Sequence, residues 1–564
     1  MPQMISLKGW IAGLPIAVIS SVIPASSLAQ PLPRFVDRSA QSKIEVITYS
    51  GSVEKPHILE SAGNGVLTLD YDGDGYQDLF FTRSFRLPRD EGTLDERSAL
   101  YRNNGDGSFT DVTERAGVGA QVYGLGGCVG DYNGDGLPDI YLTVFGPNIL
   151  YRNNGDGTFT DVSAKVEVAD PGWSIGSTFF DADADGDQDL FVGNYIEASW
   201  EDVLAARRTR RWRDKVAVMD GPRGLPEAAN TFYRNDGQGR FTETTESSGL
   251  TVGGLGYTMG VISLDYDDDG DTDLYLANDS TPNRLYRNRG DGTFDEVGTI
   301  AGGAYNGDGR MQGSMGVGFG DFNGDGRFDL AVTNFAHDHY TLYRNLGGGH
   351  FADDSFVSRV AMASFAPLGW AVLLFDPDAD GDLDLFFANG HIYPQVDEDP
   401  SLNESYRQRN QLLLNEGGIY HEISDRAGEA FAIEESSRGA VTLDLENDGD
   451  LDIVISNQDA RPTVLENITE SEHHWLAFDL HHQTGTRVEF TTPERRQIRE
   501  VTSGGGYASE NDPRVHFGVG DSVDVNRVVV RWPSGRRAAF VGLESNRLFV
   551  IRTARRLDER GKGL

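Results

Sequence analysis

The sequence predicts an all-β protein, a seven-bladed β-propeller with calcium loops, followed by a small C-terminal β domain. Two repeated patterns and the way their ends match predict it. The first is the loop D-x-[DN]-x-D-G-x-x-D, which begins at Asp70, Asp131, Asp181, Asp265, Asp321, Asp376 and, with a glutamate at its third position, Asp444. Each copy sits between short apolar runs such as GVLTLD and DLFFT. The second is an Asn/Gly/Asp cluster between two short strands, LYRNNGDGSFTDV from Leu100, repeated from Leu150, Phe232, Leu285, Leu342 and Leu412. Such a cluster is a hairpin signal. Each unit therefore reads as strand, loop, strand, connection, strand, hairpin, strand, and four strands in roughly 60 residues is the size of a propeller blade.

The ends supply the third observation. Six hairpins are complete, and the seventh unit offers only VLEN (Val464 to Asn467). Its missing partner lies at the other end of the chain as RFVDRSA from Arg34, which is similar to FTDVTERA from Phe109. The N-terminal strand should complete the last unit and close the ring, leaving no sheet edge to protect.

Each loop presents oxygen at positions 1, 3, 5 and 9, with a backbone carbonyl at position 7 and a glycine at position 6 for the sharp turn. The candidate ligands are Asp70, Asp72, Asp74 and Asp78 in the first loop and Asp131, Asn133, Asp135 and Asp139 in the second. The third and fourth offer Asp181, Asp183, Asp185 and Asp189, then Asp265, Asp267, Asp269 and Asp273. The fifth and sixth offer Asp321, Asn323, Asp325 and Asp329, then Asp376, Asp378, Asp380 and Asp384; the seventh offers Asp444, Glu446, Asp448 and Asp452. Oxygen-only ligation by several carboxylates suits Ca2+, which tolerates irregular geometry that Mg2+ does not, and up to seven ions are expected. Loops without His or Cys argue against zinc. An EF-hand is excluded because position 12 of the first loop is Phe81 and the flanks have strand periodicity. Asn133, Asn323 and Glu446 should make their loops the weaker sites.

The chain has 564 residues and a formal net charge of −39, concentrated ahead of residue 468. That acidity argues for cations and against nucleic acid or an anionic membrane as partners. Residues 1–29 read as a signal peptide, with Lys8, an apolar stretch from Trp10 to Ile23 and the small-x-small site Ser27-Leu28-Ala29. Cleavage near Ala29 would deliver a secreted protein, extracellular or periplasmic, and no later run is long enough to span a membrane. The remaining divisions expected are the propeller over 30–467, the β domain over 468–553 and a basic tail over 554–564. Cys128 is the only cysteine, so metal rather than a disulfide would pin the loops.

At this point the loops and hairpins resemble FG-GAP/VCBS repeats of the integrin-α type. GTRVEFTTPERRQIREVTSGGGY, RVHFGVGDSVDVNRVVVRWPSGRRAAF and the WPSG motif at Trp532, within Gly485 to Phe540, resemble the ASPIC/UnbV domain. Together with NGH at Asn389 and GPRGLP at Gly221, they are similar to the cartilage acidic protein family in its bacterial form. The resemblance implies a secreted, calcium-binding, non-catalytic protein of adhesion or matrix type, with an unidentified protein or glycan partner. The segment from Leu480 to Gly485 is short, so a loop of that domain is absent here.

A second site is suggested at the opposite end of the strands. Asn194, Asn278, Asn334, Asn389 and Asn457 occupy equivalent places five residues beyond a loop's last aspartate, with Asp279 and His391 close by. Turn chemistry explains such asparagines; alternatively they ring the propeller mouth and, with Asp279 and His391, build an enzyme or small-ligand site. GWSIG at Gly172 spells a nucleophile elbow, but it enters a strand before a metal loop and carries no catalytic reading. The insertion from Ile196 to Asn230 contains EDVLAARRTRRWRDK, which reads as a basic helix.

Overall fold

The computed structural model describes residues 32–552, apart from 89–95, 207–208, 493–494, 523 and 526. The expected signal peptide and basic tail lie outside the described residues. The chain is mostly β, with several four-stranded antiparallel sheets, a pattern consistent with a propeller. Seven such sheets each contain one aspartate loop between their first two strands. In the first sheet these strands are Val66–Leu69, Asp78–Phe81, Ala99–Asn103 and Phe109–Asp111, hydrogen-bonded in that order. The first strand of each sheet lies against the first strand of the next, and Ser437–Leu443 of the last lies against Val66–Leu69, which closes a cycle. Phe35–Asp37 pairs with Thr463–Asn467 as the outer strand of the last sheet, Phe35 opposite Asn467.

Burial follows from this stacking. The second strands, such as Asp189–Asn194, are covered on both faces by neighbouring sheets, so they read as unbroken apolar runs instead of alternating ones. The fourth strands are more exposed at the rim; in Phe109–Asp111 only the phenylalanine is buried.

The insertion departs from expectation. Among its described residues only Trp200–Ala205 is helical, capped by Ser199, whose side chain accepts from the Asp202 N–H. Thr209–Trp212 and Val216–Met219 then form a hairpin, because Val216 and Val218 alternate inward and Arg213 and Asp214 take positive φ at the turn.

The C-terminal residues form a two-stranded sheet, Asp524–Val525 with Leu543–Glu544, and two larger ones. In one, His474–Asp479 lies between Val515–Gly520 and a parallel Arg547–Val550. The other is ordered Arg496–Glu500, Arg487–Thr491, Arg527–Arg531 and Arg537–Phe540. Phe478, Phe490, Phe517, Val528 and Val530 fill the space between them. These residues pack closely against the ring. The segment Ser503 to Asp512 leaves the sheets and runs down the middle of the cycle, touching every one of its seven members. Its backbone bonds to Val66 and Thr68 of the first sheet (Glu510 N to Val66 O 3.1 Å, Thr68 N to Glu510 O 3.0 Å), to Val317 of the fifth (2.7 Å) and to Thr442 of the seventh (3.2 Å). Thr178 Oγ1 of the third sheet donates to Ser503 O at 2.6 Å, Val129 N of the second donates to the Glu510 carboxylate, and Gly504 bridges to Ile262 of the fourth. Tyr507 packs on Trp370 of the sixth at 4.7 Å between ring centroids. Such close passage requires missing side chains. A Cβ on Gly65 would meet Ala508 O at 1.6 Å, and Gly504, at φ +75°, would meet Ser177 O at 2.4 Å.

Candidate functional site

The loops owe their shape to their first aspartate. Asp70 Oδ1 accepts from Gly73 N and Asp74 N and its Oδ2 from Gly75 N, at 2.8–3.1 Å. Asp131, Asp181, Asp321 and Asp444 accept from the corresponding position-5 and position-6 amides. The ninth residue works differently. Asp78 Oδ2 accepts from Tyr71 N inside its loop (3.1 Å) and Oδ1 from Asn103 N of the hairpin strand (2.7 Å). Asp189, Asp273, Asp329 and Asp452 repeat both bonds.

This wrapping brings carboxylates together. In four loops three carboxylate oxygens lie within 4.8 Å of one another: Asp70, Asp72 and Asp78; Asp181, Asp183 and Asp185; Asp265, Asp267 and Asp269; Asp376, Asp378 and Asp380. The loops carrying Asn133, Asn323 and Glu446 at position 3 do not gather such a triad among the described residues. Burial, more than mutual repulsion, pushes these acids up: Asp181 and Asp265 to about 6, Asp378 to about 7, and the ninth-position Asp189 and Asp329 to about 8. Asp183 Oδ1, Asp265 Oδ1, Asp267 Oδ1 and Asp376 Oδ1 are buried without any hydrogen-bond donor. Buried carboxylate oxygens lacking donors fit a cation, and these four triads could hold metal ions.

A set of asparagines that sequence reasoning treated only as turn residues joins the loops to one another. Asn153 Nδ2 donates to Tyr71 O of the preceding sheet's loop (2.9 Å). Asn235 reaches Tyr132 O, Asn288 reaches Ala182 O, Asn345 reaches Tyr266 O, Asn415 reaches Phe322 O and Asn467 reaches Pro377 O, all at 2.7–2.8 Å. Asn103 completes the circuit by donating to Leu445 O of the last loop at 2.9 Å. The signal was present as the fixed asparagine of LYRN, but its partner lies in another unit.

The expected asparagine ring at the mouth is different in kind. Asn194, Asn278, Asn334, Asn389 and Asn457 are all buried. Each amide nitrogen donates to a carbonyl of its own turn: Ala229 O, Pro282 O, His339 O, Arg409 O and Arg461 O. Each amide oxygen accepts a hydroxyl from Ser174, Thr258, Ser314, Tyr340 or Ser437. These side chains are spent within the fold, and the same bond gives the serine of GWSIG a structural partner.

His391 is also turned inward and does not line the mouth. It is fully buried, its Nδ1 accepts from Tyr393 N at 3.0 Å, and its Nε2 lies 3.3 Å from Glu404 Oε2. With Nδ1 an acceptor, the proton sits on Nε2, and burial pushes the imidazole pKa down. Glu404 also accepts from Trp212 Nε1 (2.8 Å), Arg213 (2.9 Å) and His337 Nε2 (2.8 Å). Burial works to raise its pKa, but these donors hold the carboxyl far below the usual range. Glu404 thereby clamps the insertion hairpin to the ring. Asp279 does line the mouth, where it accepts from Tyr195 Oη and Ser280 Oγ, each at 2.8 Å.

The fold and site together define a class: a repeat protein of four-stranded sheets, each carrying an aspartate loop. The FG-GAP-like repeat family matches residues 70–142, 131–192, 265–332 and 321–387, and the ASPIC and UnbV family matches residues 481–557. The chain carries FG-GAP-like repeats and a C-terminal ASPIC/UnbV domain, and it is distantly similar to cartilage acidic protein 1. The Homo sapiens protein is 27% identical over 298 residues, 50% of this chain and 42% of that protein. The Mus musculus protein is 26% identical over 279 residues, 47% and 40% respectively. The match thus spans less than half the length of these relatives. Among solved structures, an Agrocybe aegerita lectin that recognises non-reducing terminal N-acetylglucosamine is 16% identical, with a TM-score of 0.39, covering 72% of this chain and 94% of its own. The BBS1N chain from its complex with ARL6DN is 10% identical, with a TM-score of 0.38, covering 78% and 99%.

Proposed function

We propose that the chain is an exported seven-bladed β-propeller braced by calcium, acting as a non-catalytic binding protein of adhesion or matrix type toward a protein or glycan. The observation that carries this reading is the recurrence of aspartate triads in four equivalent loops, three of them with a donor-free buried oxygen. Seven divalent ions would take the formal charge from −39 to −25 and relieve carboxylates that burial already disfavours as anions. An ion that binds the folded ring and not the unfolded chain stabilises it by about 2.7 kcal/mol at 100 times its dissociation constant. Extracellular calcium modules bind at roughly 10⁻⁴–10⁻³ M, so each ion contributes modestly in millimolar calcium and the seven contributions sum.

The test is a thermal melt of the mature protein in millimolar calcium against one in chelator, with bound metal counted. Chelation is expected to lower the melting temperature by well over about ten degrees, since several sites empty together. Magnesium at equal concentration should restore little of the loss. Coincident curves, or fewer than three calcium ions per chain, would reject the reading.

A further inference from the structure

A cavity of about 290 Å³ opens at the mouth, at the end of the strands remote from the aspartate loops, and the insertion covers one side of it. Its lining is unusual for this composition. Four of the chain's seven methionines, Met219, Met259, Met311 and Met315, line it, and two of the other three, Met1 and Met4, precede the described residues. Thioether side chains are flexible and polarizable, and they pack well on aromatic ligands. Trp212, Phe335 and Tyr393 add an aromatic wall, with Trp212 5.6 Å from each of the other two ring centroids. The bond from Trp212 Nε1 to Glu404 fixes the indole, so this wall is pre-formed.

The charged groups on the lining fall into two kinds. The acids have partners: Asp279 accepts from Tyr195 and Ser280, Asp338 from Gln312 Nε2 at 2.9 Å, and Asp220 from Gly221 N at 3.1 Å. The two arginines are held in no ion pair among the described residues. Arg210 donates to Tyr393 Oη at 3.1 Å and lies 5.2 Å from the Trp212 ring centroid, while Arg223 is exposed at the opening. A guanidinium already over the aromatic faces disfavours a second cation there and leaves fork-like N–H donors available to an anion.

We propose that this cavity binds a small organic acid, its aromatic or apolar ring against the methionines and Trp212 and its anionic group at Arg210 and Arg223. The proposal does not rest on the calcium reading, because none of the lining residues belongs to an aspartate loop.

The probe is 1-anilinonaphthalene-8-sulfonate, an aromatic anion that fluoresces when bound, with uncharged N-phenyl-1-naphthylamine as comparator. Both are titrated into the full mature protein in millimolar calcium, with metal content counted on the same samples so that a failure of the calcium reading registers separately. One saturable site for the anion is expected. Arg210→Gln with Arg223→Gln should weaken the anion about tenfold or more, the scale of one lost charge-assisted contact, and change the neutral probe less than about twofold. The melting temperature should not move. Should the double substitution unfold the protein, Arg223→Gln alone repeats the test on an exposed side chain. Met311→Trp at the rim should weaken both probes. Non-saturable anion binding, equal affinity for the two probes, or indifference to the arginine substitutions would overturn the proposal.

Discussion

Glu510 gives the sharpest test of the central segment. It is 1% exposed in the middle of the ring, and its Oε2 accepts from Val129 N at 3.2 Å and from Gly504 N. Burial outweighs those bonds and pushes the carboxyl up to about 8, against an ordinary 4.5. The folded protein therefore keeps a proton that the unfolded chain releases. Its contribution to stability is fully present below pH 4.5 and is lost as pH rises towards 8, at about 1.4 kcal/mol per unit. By pH 7 the loss is about 3 kcal/mol. Glu510→Gln keeps a carbonyl acceptor for the two amides and removes the titration. Denaturant unfolding of both proteins, in constant millimolar calcium across pH 4.5–7, should show the variant gaining about 3 kcal/mol on the parent as pH rises. The acidic loops are common to both proteins, so they cancel in the difference. Parallel stability profiles would refute the placement of this carboxyl in a dry axis.

Two further outcomes follow from the geometry. Asn345→Ala removes the donor to Tyr266 O and Phe328 O, and the loss in denaturant unfolding should be about 1–3 kcal/mol; a loss below about 0.5 kcal/mol, the size of an ordinary surface change, would reject the inter-loop latch. A chain ended at residue 470 loses Ser503 to Asp512 and exposes the inner strands, so it should fail to give a soluble, cooperatively melting ring; a normal cooperative melt would show that the axis is dispensable.

What could be read from the sequence was whatever lies close together along the chain. The aspartate loops, the hairpins and the partnership of RFVDRSA with VLEN all depend on short patterns at fixed offsets, and Phe35–Asp37 does pair with Thr463–Asn467. The errors arise where a residue's partner is distant. GGGY at Gly504 was legible only as a resemblance, because what requires Gly504 is its close passage by Ser177 O, far away along the chain. The asparagines of LYRN and those at the strand ends look alike as turn residues, yet the first set bonds to the preceding sheet's loop and the second to its own turn. In EDVLAARRTRRWRDK helical propensity holds only to Ala205, after which Val216 and Val218 find an apolar neighbour and a hairpin replaces the helix.

The two ends of the ring are therefore held by different means, and this bears on how each could act. At the loop end, the ninth aspartate fixes the hairpin asparagine, and that asparagine fixes the second-position carbonyl of the preceding loop. A cation that orders one loop thus orders the acceptor used by its neighbour, and seven such steps return to the start through Asn103 and Leu445. If the loops hold cations as proposed, this coupling would make the loop end collective, so that weakening one site would loosen two sheets. At the mouth end the described residues form no such circuit. There Glu404 gathers Trp212, Arg213, His337 and His391, and with the bonds from Arg210 to Tyr393 and from Tyr257 to Leu225 O it holds the insertion in place. On the proposed reading, the aspartate loops would brace the ring while the mouth takes the ligand.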